Sequence, residues 1–257
     1  MTSKHLERLG VPYGVKIIGS RPIVLVAPHC PDKHEQFVNE LVAKICTATN
    51  CFAIINTKIS RRDVDLNDFD DISDNMAGMV KSFYDDLCHM IEDRLKEVQR
   101  PIVIFVHFTP RFYTKKRYLY ERRLNGNLVF KVSGEARDFD VDIGCGLTEN
   151  AEMDFSCDSS LCLNEYYYYA KRLRRNRGDG IVTCDREQVY RLQKLLMKYG
   201  LRAKVGREWA ALSEKNMVQH VARKFSTSNV LQVEIIQDVG EGRMCADALV
   251  QVLENLM

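Results

Sequence analysis

The 257-residue chain has little net charge, no long hydrophobic run and no close-set pair of cysteines. Its 37 basic and 35 acidic side chains give a formal charge of +2, too small to indicate nucleic-acid binding. No apolar stretch approaches the about 20 residues that cross a bilayer, and no basic-then-apolar leader opens the sequence. We therefore expect a cytoplasmic protein that does not enter membranes.

The nine cysteines are an odd number without a leader, which argues for reduced thiols and against a disulfide framework. Cys145, Cys157 and Cys162 form the only cluster, and their spacing differs from the CxxC pairs of a zinc ribbon. Internal repeats, low-complexity tracts and Pro- or Ser-rich linkers are also missing. The sequence thus predicts one domain over residues 1–257, with an irregular elaboration at about 110–180.

Hydrophobic periodicity predicts alternating strands and helices. Short apolar runs typical of buried strands occur at 23–27, 52–55, 102–108 and 230–236. Apolar residues at helical spacing occur over 35–45, 76–98 and 185–200. Strand–helix–strand order builds parallel sheets, so we expect an α/β protein.

Two of the predicted strands deliver a histidine at their carboxyl end. His29 follows Pro28 and precedes Asp32 by three residues, and His107 lies at the end of the run 102–108. Ligands of open α/β sheets bind beyond the carboxyl ends of the strands, so both histidines are expected to face one site. Imidazole and carboxylate together suit a divalent metal, and zinc accepts that mixture.

The run 230–236 carries a single carboxylate, Glu234, and glutamate is rarely buried without a partner or a role. Amide hydrolysis needs a polarised carbonyl, an activated water and a group that moves protons. With His29, Asp32 and His107 as metal ligands and Glu234 as general acid/base, all three are provided. The alternative is structural: a histidine that ends an apolar strand, and a glutamate paired with a buried cation.

Four short motifs occur in the chain in this order: Ala27-Pro-His29, Asp63-Val-Asp-Leu-Asn67, the strand ending in His107, and Leu231-Gln-Val-Glu234. In this order they resemble the N-formylglutamate amidohydrolases, a branch of the zinc-carboxypeptidase-like hydrolases, over roughly residues 22–240. The resemblance implies a three-layer α/β sandwich with a mixed, mainly parallel central sheet. It also implies a catalytic Zn²⁺, or another divalent metal, and a small carboxylate-bearing substrate such as an N-acyl amino acid or short peptide.

The chain departs from the family pattern at two positions. The superfamily's first ligand pair is His-x-x-Glu, whereas here Asp32 supplies a shorter carboxylate, and His34 and Glu35 remain alternative ligands. Asn67 matches the family's substrate-binding asparagine, but Asp68 replaces the arginine that commonly follows it.

A different arginine is therefore needed to bind the substrate carboxylate. Arg62 or Arg61 can do so with two parallel hydrogen bonds, and the spacing to Asn67 favours Arg62. Two other functions stay open. One is a non-catalytic small-molecule binding protein that retains the fold, and the other is RNA or polyanion binding by Lys115–Arg123 and Lys171–Arg177. The near-neutral charge argues against the latter.

Overall fold

A computed structural model describes residues 6–33, 35, 37–98, 100–109, 117–122, 128–133, 137–147, 180–226, 228–240 and 243–256. The strands in these ranges are β1 Glu7–Val11, β2 Gly14–Ile18, β3 Ile23–Ala27, β4 Phe52–Asn56, β5 Ile102–Thr109, β6 Arg117–Arg122, β7 Leu128–Ser133, β8 Val141–Gly144, β9 Ala203–Val205 and β10 Asn229–Ile236. The helices are α1 Val38–Thr49, α2 Phe69–Asp74, α3 Gly78–Glu97, α4 Arg186–Lys198, α5 Met217–Lys224, α6 Gln237–Gly240 and α7 Arg243–Asn255.

Eight of the strands form one mixed sheet in the order β1-β2-β4-β3-β5-β10-β8-β9. The four central strands, β4, β3, β5 and β10, run parallel to one another. β2 and β8 join this group antiparallel on either side, β9 pairs parallel with β8, and β1 pairs antiparallel with β2. The carboxyl ends of the central strands therefore lie along a single edge of the sheet.

Helices cover both faces of the sheet, so the central strands are buried on both sides. In β3, Ile23 and Leu25 belong to a core formed with α1, α4 and α7. Val24 and Val26 belong to the opposite core, formed with α3 and α5. This alternation is the period of two that a strand between two helical layers requires. The predicted three-layer α/β sandwich with its mixed sheet is confirmed.

Two of the elements that local patterns did not predict, β1 and α2, have clear physical reasons. β1 is exposed along most of its length, so it lacks the apolar pattern of a buried strand. α2 lies in the polar segment after Asn67 and begins at Asp68, whose side chain accepts hydrogen bonds from the backbone nitrogens of Asp70 and Asp71. Such a cap stabilises a short helix that has almost no apolar face.

Within the predicted elaboration at about 110–180, the structure describes the backbone of the two-stranded β6–β7 sheet and residues 137–147, which include the whole of β8. Much of the two basic clusters, together with His34, Cys157 and Cys162, lies outside the described residues. The seven cysteines among the described residues are buried free thiols.

No helix within the described residues has the length and apolar character needed to span a membrane.

Candidate metal centre

The site lies at the carboxyl edge of the central strands, where the loop after β3 meets β5. Asn56, at the end of β4, donates hydrogen bonds to the carbonyls of Pro28 (2.6 Å) and Ile59 (2.7 Å) and so holds the loop that carries His29. From there the chain winds toward α1 through successive three-residue turns. The backbone nitrogen of Asp32 donates to His29, and that of Glu35 donates to Asp32.

Three buried side chains converge at this edge: His29, Glu35 and His107. Their ligand atoms all lie within 4.8 Å of one another. Nδ1 of His29 is 3.1 Å from Oε1 of Glu35, and Nδ1 of His107 is 3.3 Å from Oε2. The centroids of the two imidazole rings are 5.0 Å apart. One carboxylate thus lies between the two histidines.

A second carboxylate, Asp65, holds the other side of the His29 ring. Its Oδ1 is 2.8 Å from Nε2 of His29, and the same oxygen accepts a hydrogen bond from the backbone nitrogen of Asn67. Its Oδ2 accepts from Nε of Arg61 at 2.7 Å. A histidine whose second nitrogen is held by a carboxylate has a fixed ring orientation and tautomer, which is the usual arrangement around a metal-binding histidine.

The side chains of His29, Glu35 and His107 differ in protonation state. Burial opposes a charge on His29, but hydrogen bonds to Asp65 and Glu35 outweigh burial and raise the pKa of His29 to about 9. Burial also opposes ionisation of Glu35, yet the two imidazoles lower its pKa to about 2. His107 is fully enclosed, and burial lowers its pKa. In the metal-free protein the group therefore holds one imidazolium, one carboxylate and one neutral imidazole near neutral pH.

The donor set fits a divalent metal ion. Nε2 of His107 is buried and has no hydrogen-bond partner among the described residues, whereas Oε2 of Glu35, also buried, lies 3.3 Å from Nδ1 of His107. Buried polar atoms without partners are rare in native proteins, and an ion is one explanation of them. Two imidazoles and one glutamate are a ligand set of catalytic zinc sites.

Glu234 lies beside this group on β10. It is directly opposite His107 on β5. Both residues lie on the sheet face whose apolar side chains pack against α3 and α5. Burial raises the pKa of Glu234 well above its usual value, and the charges of Glu35 and Asp142 act in the same direction. A carboxyl group held at the site with a raised pKa is suited to proton transfer.

Asp142, on the neighbouring strand β8, is opposite Glu234 on its other side. Its two oxygens accept hydrogen bonds from the backbone nitrogens of Arg207, Glu208 and Trp209 at 2.6–2.9 Å. We call residues 207–209 the Trp209 loop. Asp142 therefore attaches this loop to the strand next to Glu234.

The other residues named from the sequence are placed as follows. Asp32 is half-buried and is not part of the His29–Glu35–His107 group; its Oδ1 accepts from the backbone nitrogen of Arg61 at 3.4 Å. Arg62 is exposed, and its backbone nitrogen donates to the hydroxyl of Ser60. Asn67 follows Asp65, and its Oδ1 is buried without a hydrogen-bond partner among the described residues.

Two of these placements differ from those expected from the sequence. Glu35, an alternative ligand in the sequence, lies against both histidines, whereas Asp32 is not part of this group. Both Arg61 and Arg62 are exposed, but the side chain of Arg61 donates to Asp65, which lies against His29. Asp65 lies within the motif 63–67, but the sequence alone predicts no role for it. A signal for it existed, since a carboxylate near a ligating histidine is a common second contact.

Comparisons with known proteins establish the fold. No family model and no curated protein matches the chain. The crystal structure of N-formylglutamate amidohydrolase from Ralstonia eutropha aligns with 98% of this chain and 94% of its own, at 12% identity and a TM-score of 0.54. A gene product of Agrobacterium tumefaciens aligns over 93% and 91%, at 10% identity and a TM-score of 0.52.

A metallo-carboxypeptidase from Burkholderia cenocepacia aligns over 99% of this chain and 65% of its own, at 7% identity and a TM-score of 0.48. That score is too low to establish a common fold. The first two alignments span nearly the full length of both chains. This chain therefore has the fold of the N-formylglutamate amidohydrolase structure, in agreement with the resemblance predicted from its motifs.

Proposed function

We propose that this protein is a zinc-dependent amide hydrolase that acts on an N-acyl amino acid or a short peptide bearing a carboxylate. The observation that carries the proposal is the buried His29–Glu35–His107 group, with Glu234 facing His107 across one strand pairing. The fold shared with an amidohydrolase structure supports it.

In this proposal His29, Glu35 and His107 hold the metal, and Asp65 fixes the ring of His29. Bound zinc would supply Lewis acidity to the amide carbonyl and lower the pKa of a coordinated water. The same kinds of ligand can also bind cobalt, nickel or manganese, so the identity of the metal as zinc is itself part of the proposal.

Glu234 is the proposed general acid/base. As a carboxylate it accepts the proton of the attacking water, and it then donates that proton to the leaving nitrogen. Its raised pKa makes it a stronger base than an exposed glutamate. Glu234 is only 8% exposed, which limits the access of bulk water to the transferred proton.

Arg61 and Asn67 are the proposed substrate contacts. Nε of Arg61 binds Asp65, which leaves the terminal nitrogens of the guanidinium to bind a substrate carbonyl or carboxylate. The buried Oδ1 of Asn67 can accept a hydrogen bond from the substrate. Burial lowers the pKa of Arg61, but the contact with Asp65 outweighs burial and raises it. The charges of Glu35 and Glu234 raise it further, so Arg61 lies near both of these carboxylates.

One observation favours a second candidate, a non-catalytic binding protein with the same fold. Asp68 stands where the resemblance calls for a carboxylate-binding arginine, and its side chain is used to cap α2. A protein that lost this contact during divergence from an enzyme can retain a ligand pocket without turnover.

Metal analysis and an amidase assay separate these candidates. We expect about one zinc or comparable ion per chain in untagged protein, and metal-dependent hydrolysis within a panel of N-formyl and N-acetyl amino acids and dipeptides. Binding without hydrolysis across the panel would support the second candidate. A chain that takes up no ion from added zinc, cobalt or manganese would overturn the proposed hydrolase.

A further inference from the structure

Gln232 lies two residues before Glu234 on β10 and is 2% exposed. Residues two apart on a strand share a face, so the Gln232 amide lies on the same face as Glu234. Its Nε2 donates to the carbonyl of Trp209 at 3.1 Å, and its Oε1 accepts from Nδ2 of Asn216 at 3.3 Å. Both ends of the amide are therefore used, and each end holds a different segment.

The segment held through Asn216 leads to Asn67. Asn216 forms a β-bridge with Asp68, the backbone nitrogen of Met217 donates to the carbonyl of Asn67, and that of Phe69 donates to Lys215. Residues 67–69 and 215–217 are thus attached to each other by their backbones. Fixing Asn216 in place also fixes the backbone of the proposed substrate-binding asparagine.

The other end of the amide fixes the Trp209 loop. Asp142 binds the three backbone nitrogens of this loop, and Gln232 binds the carbonyl of Trp209. The strand partner of Gln232 on β8 is Gly144. A Cβ at Gly144 would lie 2.0 Å from the carbonyl oxygen of Trp209 and 2.8 Å from Cγ of Gln232. The sheet therefore leaves room at this point for the glutamine and the loop.

We infer that Gln232 is a positioning residue: its amide sets Asn67 and the Trp209 loop relative to Glu234 on the same strand. An apolar side chain of the same length fills the space but makes neither hydrogen bond. The catalytic part of this inference rests on the proposed function. The geometric part, that one amide holds both segments, does not.

The test uses the zinc-loaded 257-residue protein and the variant Gln232→Met. Gln219→Met is the matched control, because Gln219 is also a fully buried glutamine that binds backbone groups of Ile181 and Ala211. Trp209 is the one tryptophan of the sequence, so its fluorescence reports on the loop without labelling. Thermal unfolding and zinc content of both variants are measured alongside.

For Gln232→Met we expect Trp209 emission to shift to longer wavelength and to become more sensitive to acrylamide, while zinc content stays at the wild-type level. With N-formyl-L-glutamate, or the best substrate of the panel, KM should rise about tenfold with kcat changed less, since substrate placement is lost and the metal is kept. Gln219→Met should leave emission and KM unchanged, even where its thermal unfolding temperature falls equally.

Unchanged Trp209 emission in Gln232→Met overturns the inference, as does an equal effect of Gln219→Met on emission and KM. Unchanged KM in an active enzyme also overturns it. If wild-type protein hydrolyses nothing, the proposed function fails, and the emission shift alone then decides whether Gln232 holds the loop.

Discussion

His107 and Glu234 occupy directly opposed positions on the adjacent parallel strands β5 and β10. Opposed residues of a parallel pair project from the same sheet face, so the imidazole and the carboxylic acid are neighbours at the sheet edge. His107 also faces Glu35, which links it to His29. One strand pairing therefore connects the proposed acid/base to the proposed metal ligands.

The identity of the carboxylate ligand is tested by Glu35→Gln and Asp32→Asn. We expect Glu35→Gln, like His29→Ala and His107→Ala, to retain less than about a tenth of the wild-type zinc, because a neutral amide is a poor zinc ligand. Asp32→Asn should retain the metal. Elemental analysis of untagged protein makes the measurement, and loss of zinc from Asp32→Asn with retention in Glu35→Gln would restore the ligand set expected from the sequence.

Glu234→Gln should keep zinc and lose turnover. Removing a general acid/base lowers kcat by roughly 10²–10⁴-fold, while the shape of the buried side chain is preserved. Burial and the charges of Glu35 and Asp142 disfavour a charge on Glu234 in the folded state and raise its pKa, so we expect the neutral glutamine not to lower the thermal unfolding temperature. Kinetics with equal zinc loading would reject the assignment if kcat stayed within a factor of about three.

Arg61→Ala and Arg62→Ala form a matched pair of adjacent arginines. Because the Arg61 side chain binds Asp65 beside His29, we expect only Arg61→Ala to lower kcat/KM, by about 2–4 kcal/mol in activation free energy. Amidated analogues separate two roles. A loss confined to carboxylate substrates indicates binding of the carboxylate, whereas an equal loss for both indicates binding of the scissile carbonyl. A larger loss in Arg62→Ala would contradict the placement.

The protonation of His220, which lies outside the His29–Glu35–His107 group, should lower the free energy of unfolding as the pH falls. His220 stacks on Phe69, with ring centroids 3.3 Å apart, and its Nε2 is 2.8 Å from the hydroxyl of Tyr84. Burial, together with the charges of Lys224 and Arg223, lowers the pKa of His220 to about 4. The unfolded chain, with an ordinary histidine pKa near 6.5, binds the proton first, so this contribution is present above that pH and is lost as pH falls toward 4.

The measurement is urea unfolding of wild type and His220→Gln at several pH values between 7 and about 4.5. Glutamine can still accept from Tyr84 and does not titrate in this range. The free-energy difference between the two proteins should shift in favour of the variant as pH falls. A difference that stays constant over this range would show that His220 is not held neutral.

Gly144→Ala and Gly10→Ala compare a crowded glycine with an open one. A Cβ at position 144 would overlap the carbonyl of Trp209, whereas one at position 10 meets nothing within 4 Å. We expect Gly144→Ala to lower the free energy of unfolding by about 1–3 kcal/mol, the usual cost of overpacking, and Gly10→Ala to change it by less than about 0.5 kcal/mol. Equal costs from denaturant titration would mean that the loop moves freely away from β8.

Local sequence patterns were enough to predict the α/β class and the positions of the central strands. Runs such as Ile23–Ala27 and Ile102–Thr109 are buried on both faces, so their apolar character does not depend on what surrounds them. The elements that local patterns missed have no such constraint. β1 is exposed at the sheet edge, and α2 depends on the cap at Asp68 and on the backbone bridge to Asn216.

For the site, sequence order alone placed His29, His107 and Glu234 at strand ends, because parallel strands bring their carboxyl ends to one edge of the sheet. The choices of Glu35 over Asp32 and of Arg61 over Arg62 depended on tertiary structure. Neighbouring loop residues differ in side-chain direction, which depends on the turns between His29 and α1 and on the hydrogen bonds of Asp65. Those contacts join residues up to 72 positions apart, such as Glu35 and His107, and no local pattern encodes them.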